Sequence, residues 1–273
     1  KWAEAERARI GEERFRREHE CEFLIFDETL ISSLVLADME GVAPVETTGQ
    51  VRWYKRPTPG HTYMVSLDPS MGTGGDYAAI QIFELPTFEQ VGEWHHNQTP
   101  MNQQVRILQG INKHIHDTIM EKDATATPQI FYSMENNTIG EAALMRVMDI
   151  GEENIMGMFL SEPIRKGHRR KFRRGFNTTA KHKIDACTKF KELVENDKMK
   201  INSQLLISEM KDFVASGLSY KAKPGQHDDL VSACLLMTRM MKVLADFDPK
   251  IFEKWTDRTS EITPMPIFGS FTG

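Results

Sequence analysis

What this chain lacks narrows it first. No apolar run in its 273 residues approaches the roughly 20 that a helical membrane span requires. The opening segment, KWAEAERARIGEERFRREHE, is charged throughout and has no signal-peptide core, so no membrane partner is expected. Only three cysteines occur, Cys21, Cys187 and Cys234, far apart and without the paired spacing of a zinc site or a disulfide framework. They read as reduced core thiols, which suits a cytoplasm. No G-x-x-x-x-G-K-[ST] loop is present, so this chain is not expected to bind or hydrolyse ATP. Internal repeats and low-complexity tracts are also missing. Basic residues are the minority, 34 against 39 acids for a net charge of −5, which argues against a protein that coats nucleic acid.

What is there, 40% hydrophobic and 27% charged, suits one substantial globular unit with attachments. Residues 1 to about 58 read as a helix followed by irregular chain, with Phe15, Phe23, Leu24 and Phe26 as an apolar stripe and Pro44, Pro57 and Pro59 closing the segment. That segment is expected to be a connector. The segments HTYMVSLD, YAAIQIFEL and QVGEWHHN alternate like strands and are separated by the turn sequences GTGGD and PTFE, which predicts a three-stranded antiparallel meander. Val105, Leu108, Ile111, Ile115 and Ile119 recur at helical intervals, QIFYSME is a short buried strand, and GEAALMRVMDI is a helix. A further strand is expected near Asn154 to Phe159, then helices over 182–198 and 203–213, a strand-like VASGLSYK, and a helix over 228–246. The expected division is a connector over 1–58, a folded unit over 59–248, and a tail over 249–273. The chain does not begin with Met, which reads as a fragment.

Three segments put acids at element ends. Asp68 follows the apolar strand Tyr63 to Leu67, Glu135 follows IFYSM, and Asp228 and Asp229 precede LVSACLLM. Each has an ordinary explanation. Asp68, and Asp76 at the close of the same glycine-rich turn, could be turn formers, and either of the adjacent aspartates could cap its helix. Glu135 is explained less well, because Glu is disfavoured at the end of an apolar strand, while Asn136 or Thr138 could cap the next helix. Taken together, acids on neighbouring elements would converge, and carboxylates tolerate such crowding by sharing bound cations. Gly72, Gly74 and Gly75 could let backbone approach a phosphate, but they do not form a Walker loop.

One segment reverses the acidic trend. From 165 to 183 the chain reads RKGHRRKFRRGFNTTAKHK, with Arg165, Lys166, Arg169, Arg170, Lys171, Arg173, Arg174, Lys181 and Lys183 and no acid. It is either a solvated loop or a surface that presents cations to phosphates. Beside a metal site it points to phosphodiester cleavage.

The segments SLDPSMGTGGDYAAI, YSMENN and GQHDDLVSACLL, with the order of elements around them, resemble the C-terminal nuclease domain of tailed-phage large terminases, nearest to the large contractile-tailed type. The resemblance covers residues 60 to 245, and the leader FRREHECEFLIF resembles the chain that joins ATPase to nuclease in such proteins. It implies an RNase H-like, resolvase-related α/β fold: a mixed sheet whose first three strands are antiparallel, flanked by helices. By resemblance, Asp68, Glu135 and Asp228 or Asp229 bind two divalent ions, Mg²⁺ with Mn²⁺ able to substitute. Asp76 is given a supporting role, and His227 could orient an aspartate or be structural. Ser232 stands where some relatives carry an acid. The implied activity is two-metal endonucleolytic cutting of concatemeric double-stranded viral DNA with little sequence preference, and the basic residues would hold the DNA backbone. The implied partners are an ATPase domain in the same full-length chain, the portal protein and the small terminase subunit, in the host cell cytoplasm at the procapsid portal. Two other readings stay open: a DNA-gripping, portal-docking module without cleavage, and a junction resolvase or RNase H-type nuclease.

Overall fold

A computed structural model describes residues 2–11, 15, 28–162 and 174–247. The leader begins with helix α1 (Trp2–Ile10), and Phe15 is buried with its ring centroid 6.3 Å from that of Trp2. Phe23, Leu24, Phe26 and Cys21 lie outside the described residues, as does the tail from 249. After helix α2 (Ser33–Asp38) the chain departs from the irregular connector that was expected. Strands β1 (Glu46–Thr48) and β2 (Val51–Trp53) form a hairpin and join the main sheet, with Arg52 opposite Glu93 and Trp53 opposite Gly92. β-branched Thr47, Thr48 and Val51, aromatic Trp53 and a turn at Gly49 with φ of 62° account for them locally. Strands of three residues are too short for a period of two to be read.

The meander follows as expected. β3 (Thr62–Asp68) pairs antiparallel with β4 (Ala78–Leu85), and β4 with β5 (Glu89–His96). Helix α3 (Met101–Lys122) crosses back and buries Val105, Leu108, Ile111, Ile115 and Ile119. β6 (Gln129–Met134) then lies parallel to β3, with Leu67 level with Met134. Asp68 and Glu135, one residue further along each strand, therefore leave the sheet side by side.

Helix α4 (Thr138–Ile150) is capped by Asn137, whose Oδ1 accepts the N–H groups of Ile139 at 3.1 Å and Gly140 at 2.9 Å. This corrects the expectation of Asn136 or Thr138 as cap; Asn136 instead donates through Nδ2 to the Arg174 carbonyl. The strand expected near 154–159 shrinks to β7 (Met158–Phe159) after a 3₁₀ turn over Glu152–Asn154, because Gly157, at φ 106°, turns the chain against the Ile130 carbonyl. Helices α5 (Ala180–Glu195) and α6 (Gln204–Asp212) follow. VASGLSYK is a hairpin, β8 (Phe213–Ser216) and β9 (Ser219–Ala222), turning at Gly217, and α7 (Asp229–Phe247) closes the described chain.

The large sheet has the order β1-β2-β5-β4-β3-β6-β7, parallel at β3/β6 and β6/β7 and antiparallel elsewhere. One face packs under α3 and α4, with Val105, Ile111, Leu144 and Val147 against Val65, Leu67 and Ile80. The other packs under α5, α6 and α7, with Phe190, Leu206, Leu230 and Met237 against Met64 and Phe83. β4 is buried at every residue because helices cover both faces. Cys187 and Cys234 are buried free thiols in the second of these layers, as their spacing suggested.

Candidate active site

The chain brings its acids to the carboxyl ends of the central strands. Asp68 ends β3, and the Glu135 N–H donates to the Leu67 carbonyl at 3.2 Å, which continues the parallel ladder one residue past β6. The Glu135 side chain accepts from Asn137 Nδ2 at 3.1 Å. α4 is pressed against this point: a Cβ at Gly140 would stand 1.8 Å from the Glu135 carbonyl oxygen, so only glycine fits there. The Asp68 and Glu135 carboxyls are within hydrogen-bonding reach of each other, with Asp229 and Asp228 also near enough to act on Asp68. Burial first, and then these acids, raise the Asp68 carboxyl well above the usual carboxylate range. Two carboxylates in contact resist ionising together, a crowding that a bound cation relieves.

The two aspartates of the HDD segment point to different supports. Asp228 Oδ2 accepts the Ala222 N–H of β9 at 3.2 Å. Asp229 Oδ2 accepts the Tyr77 N–H at 3.4 Å, with His227 Nδ1 at 3.6 Å. Burial pushes Asp229 up to about 6, the Tyr77 N–H pulls it down, and the Asp228 charge pushes it up again. Asp76 is exposed in the glycine-rich turn, near enough to add to that rise. Neither aspartate uses its carboxylate to cap α7. Glu209 of α6 does so, its Oε2 accepting from Leu230 N at 2.8 Å and Val231 N at 3.1 Å. Burial pushes Glu209 up to about 8 against the pull of those two N–H groups.

A cleft of about 140 Å³ opens at the paired acids, lined by Asp68, Glu135, Ser232, His182, Lys183 and Arg239. Lys183, expected among the DNA-binding residues, is thus beside the acids, with Nζ 5.6 Å from the Phe213 ring centroid. Lys181 is exposed on the first turn of α5. Arg174, also expected there, has its guanidinium ion-paired with Glu152. Arg165, Lys166, Arg169, Arg170, Lys171 and Arg173 lie outside the described residues.

Sequence reasoning missed several neighbours. Arg239 donates to Glu162 and to Thr178 Oγ1 at 2.8 Å, and lies 5.2 Å over the Phe176 ring. Its signal was a single cation inside the apolar run LVSACLLMTRMM. Glu209 left no such signal, since it lies beside the buried stripe Leu206, Ile207 and Met210 of an ordinary amphipathic helix. Tyr77 stacks on His95 at 4.0 Å and meets His227 edge-on at 4.7 Å. Burial, followed by the charges of Arg52, His227 and His96, lowers His95 to about 4 and keeps it neutral.

Among the described residues no three acid, histidine or cysteine side chains stand close enough to hold one ion as they are placed. The four acids therefore do not form a single ligand cluster. The donor chemistry still suits a hard divalent cation. Mg²⁺ characteristically takes one or two carboxylates, keeps several waters and completes its shell with phosphate oxygens. A pair of adjacent carboxyls in an open cleft is that kind of partial site.

The family model of the terminase RNaseH-like domain matches residues 65–240. Among solved structures, the large terminase nuclease from thermophilic phage G20c with bound magnesium superimposes with a TM-score of 0.57 at 16% identity, over 78% of this chain and 97% of that one. The large terminase nuclease domain of Thermus phage P74-26 does so with a TM-score of 0.52 at 17% identity, over 74% and 90%. At that identity the likeness speaks for the fold, and it is the fold expected: a mixed sheet entered through an antiparallel meander, with helices on both faces. Since the family model spans well over half of the sequence, and both paired acids fall inside it, this chain belongs to the terminase RNase H-like domain family.

Proposed function

We propose that this chain is a metal-dependent endonuclease that cuts concatemeric double-stranded viral DNA during genome packaging, with little sequence preference. The observation that carries the reading is the Asp68–Glu135 carboxyl pair at the ends of adjacent parallel strands, with Asp229 and Asp228 close enough to act on Asp68. Turn formers and caps have no reason to be in contact. The bound magnesium of the phage G20c nuclease supports the same cation here, with Mn²⁺ able to substitute.

Divalent cations bound at these acids would supply Lewis-acid activation of a water and stabilisation of the leaving oxygen. Asp68 and Glu135 would hold such an ion first, with Asp229 and Asp228 next in reach, and any proton on Asp68 must leave as they do so. Asp228 and Asp229 are aimed by Ala222 and Tyr77, so that loading requires little rearrangement of α7. Lys183 offers a cation to the phosphate from the same cleft, while the Arg239 guanidinium, already bound to Glu162 and Thr178, fixes the cleft wall.

The basic segment has support from its two ends. The Glu162 N–H donates to the Gly175 carbonyl at 3.2 Å, the Gly175 N–H to Ser161 Oγ at 3.1 Å, and the Asn136 N–H to the Phe176 carbonyl at 2.7 Å. Residues 162 and 174–176 therefore flank the segment immediately beside Glu135, which suits Arg165 to Arg173 as contacts to the DNA backbone. Binding of that kind is salt-dependent and carries little sequence preference. The ATPase domain of the same full-length chain, the portal protein and the small terminase subunit are the proposed partners, at the procapsid portal in the host cytoplasm. Cleavage of plain duplex should exceed cleavage of a four-way junction or an RNA–DNA hybrid of equal length. A clear preference for either of those two would move the reading to a resolvase or an RNase H.

A further inference from the structure

A helix that begins with Asp ordinarily uses that side chain to accept the N–H groups of its own first turn. α7 has two candidates and uses neither. The Ser232 N–H bonds to the Asp228 carbonyl at 2.7 Å, so Asp228 occupies the N-cap position by its backbone. Its carboxylate nevertheless accepts from Ala222, and that of Asp229 from Tyr77, while Leu230 and Val231 donate to Glu209.

We infer that Glu209 is a positioning residue: a cap supplied by α6 that releases Asp228 and Asp229 from capping their own helix, so that both can serve Asp68 and the cation. The inference rests on the proposed role of those two aspartates. α6 is rigid enough for the task. Its N-terminus is fixed by Ser203 Oγ, which accepts from Leu206 N at 3.0 Å and donates to Glu93 Oε1 at 2.8 Å, and Leu206, Ile207 and Met210 are buried around it. Without the Glu209 carboxylate, the Leu230 and Val231 N–H groups are left to the side chain of the N-cap residue, and Asp228 turns from Ala222 toward its own helix.

The consequence is a coupling that simple packing does not produce. In the metal-free full chain, Asp228→Ala removes both a like charge from the cluster and the acceptor of the Ala222 N–H, opposing effects that should leave the urea midpoint close to wild type. In a Glu209→Ala background the same substitution should lower the midpoint, because Asp228 has by then become the cap. Additive effects of the two substitutions would overturn the inference. Should Glu209→Ala fail to fold, the cycle is run with Glu209→Asp, which keeps the carboxyl group but withdraws it by one methylene. Calorimetric titration with Mn²⁺ gives the second readout. Glu209→Ala should bind about tenfold or more weakly, the usual scale for a group that orients a ligand. Glu209→Gln, which keeps a carbonyl oxygen for both N–H groups, should restore most of the affinity. Wild-type affinity in Glu209→Ala would also overturn the inference. A wild-type chain that binds no Mn²⁺ would remove the nuclease reading, and with it the role given to Glu209; normal binding with an additive cycle would remove Glu209 alone.

Discussion

Asp68 carries the mark of crowding among the acids. Burial and the neighbouring Glu135, Asp229 and Asp228 hold its pKa well above the ordinary carboxylate range, while Asp229 is raised to about 6 and Glu209 to about 8. A group whose native pKa exceeds its unfolded one favours the native state below the unfolded value and loses that contribution as pH rises through the native value. His95, lowered to about 4, works the other way, but only below the ordinary histidine range. Between about pH 6.5 and about pH 9, then, the metal-free protein should melt at steadily lower temperature, and saturating Mn²⁺ should flatten the trend by standing in for the protons. Melting curves in EDTA and in Mn²⁺ decide this, and a metal-free melting temperature that stays level or rises across the window would contradict it. That Asp68, Glu135, Asp228 and Asp229 would come near one another was legible in the sequence, because each stands at the edge of an apolar stretch at the end of an element. Glu209 was not, since an acid on an amphipathic helix looks solvated until a second helix end is laid against it. The Arg174–Glu152 ion pair was hidden for the converse reason: a cation in a basic run looks free until an acid meets it.

Helix α4 holds Glu135 in place through one glycine. In an ordinary helix interior, Gly→Ala raises stability by about 1 kcal/mol. At position 140 the added methyl would meet the Glu135 carbonyl oxygen, so Gly140→Ala should instead lower stability by roughly 1–3 kcal/mol, the scale of overpacking, and displace the carboxyl with it. Urea denaturation gives the sign, and a gain in stability would show that α4 is free to move. At this scale long periodic elements were the readable ones. The α3 stripe and the β3–β5 meander declare their period over several repeats, whereas the Asn137 cap differs from its rejected neighbours only in backbone placement. The paired three-residue strands β1 and β2 carry too few residues to show any alternation, and pairing with β5 rather than local preference makes them strands.

Across the whole molecule, that edge hairpin ties the leader to the nuclease unit. Glu93 is fully buried and bonded to Arg52 Nε at 3.0 Å, Tyr54 Oη at 2.7 Å and Ser203 Oγ at 2.8 Å. A chain begun at residue 59, the boundary the proline pattern suggests, would lose Arg52 and Tyr54 and leave that carboxylate buried with no cation, beside Ser203 and the longer 3.5 Å contacts of the Gln81 and Gln90 amides. A buried charge stripped of its partner costs about 3–5 kcal/mol. The shortened chain should therefore be far less stable than one begun at residue 28, and equal urea midpoints would show the hairpin to be dispensable. The sequence conveyed the order βββαβα but not this dependence, because a buried ion pair between distant segments leaves no local trace. The central claim concerns the acids at the ends of β3 and β6, and cleavage of supercoiled plasmid by the purified chain in Mg²⁺, Mn²⁺ or EDTA, beside Asp68→Asn and Glu135→Gln, tests it most directly. The account predicts cutting that requires either ion, is abolished by EDTA, and falls by at least about 100-fold in both variants, since each removes a ligand without removing volume. Cutting that survives EDTA, or persists at the wild-type rate in either variant, would contradict it.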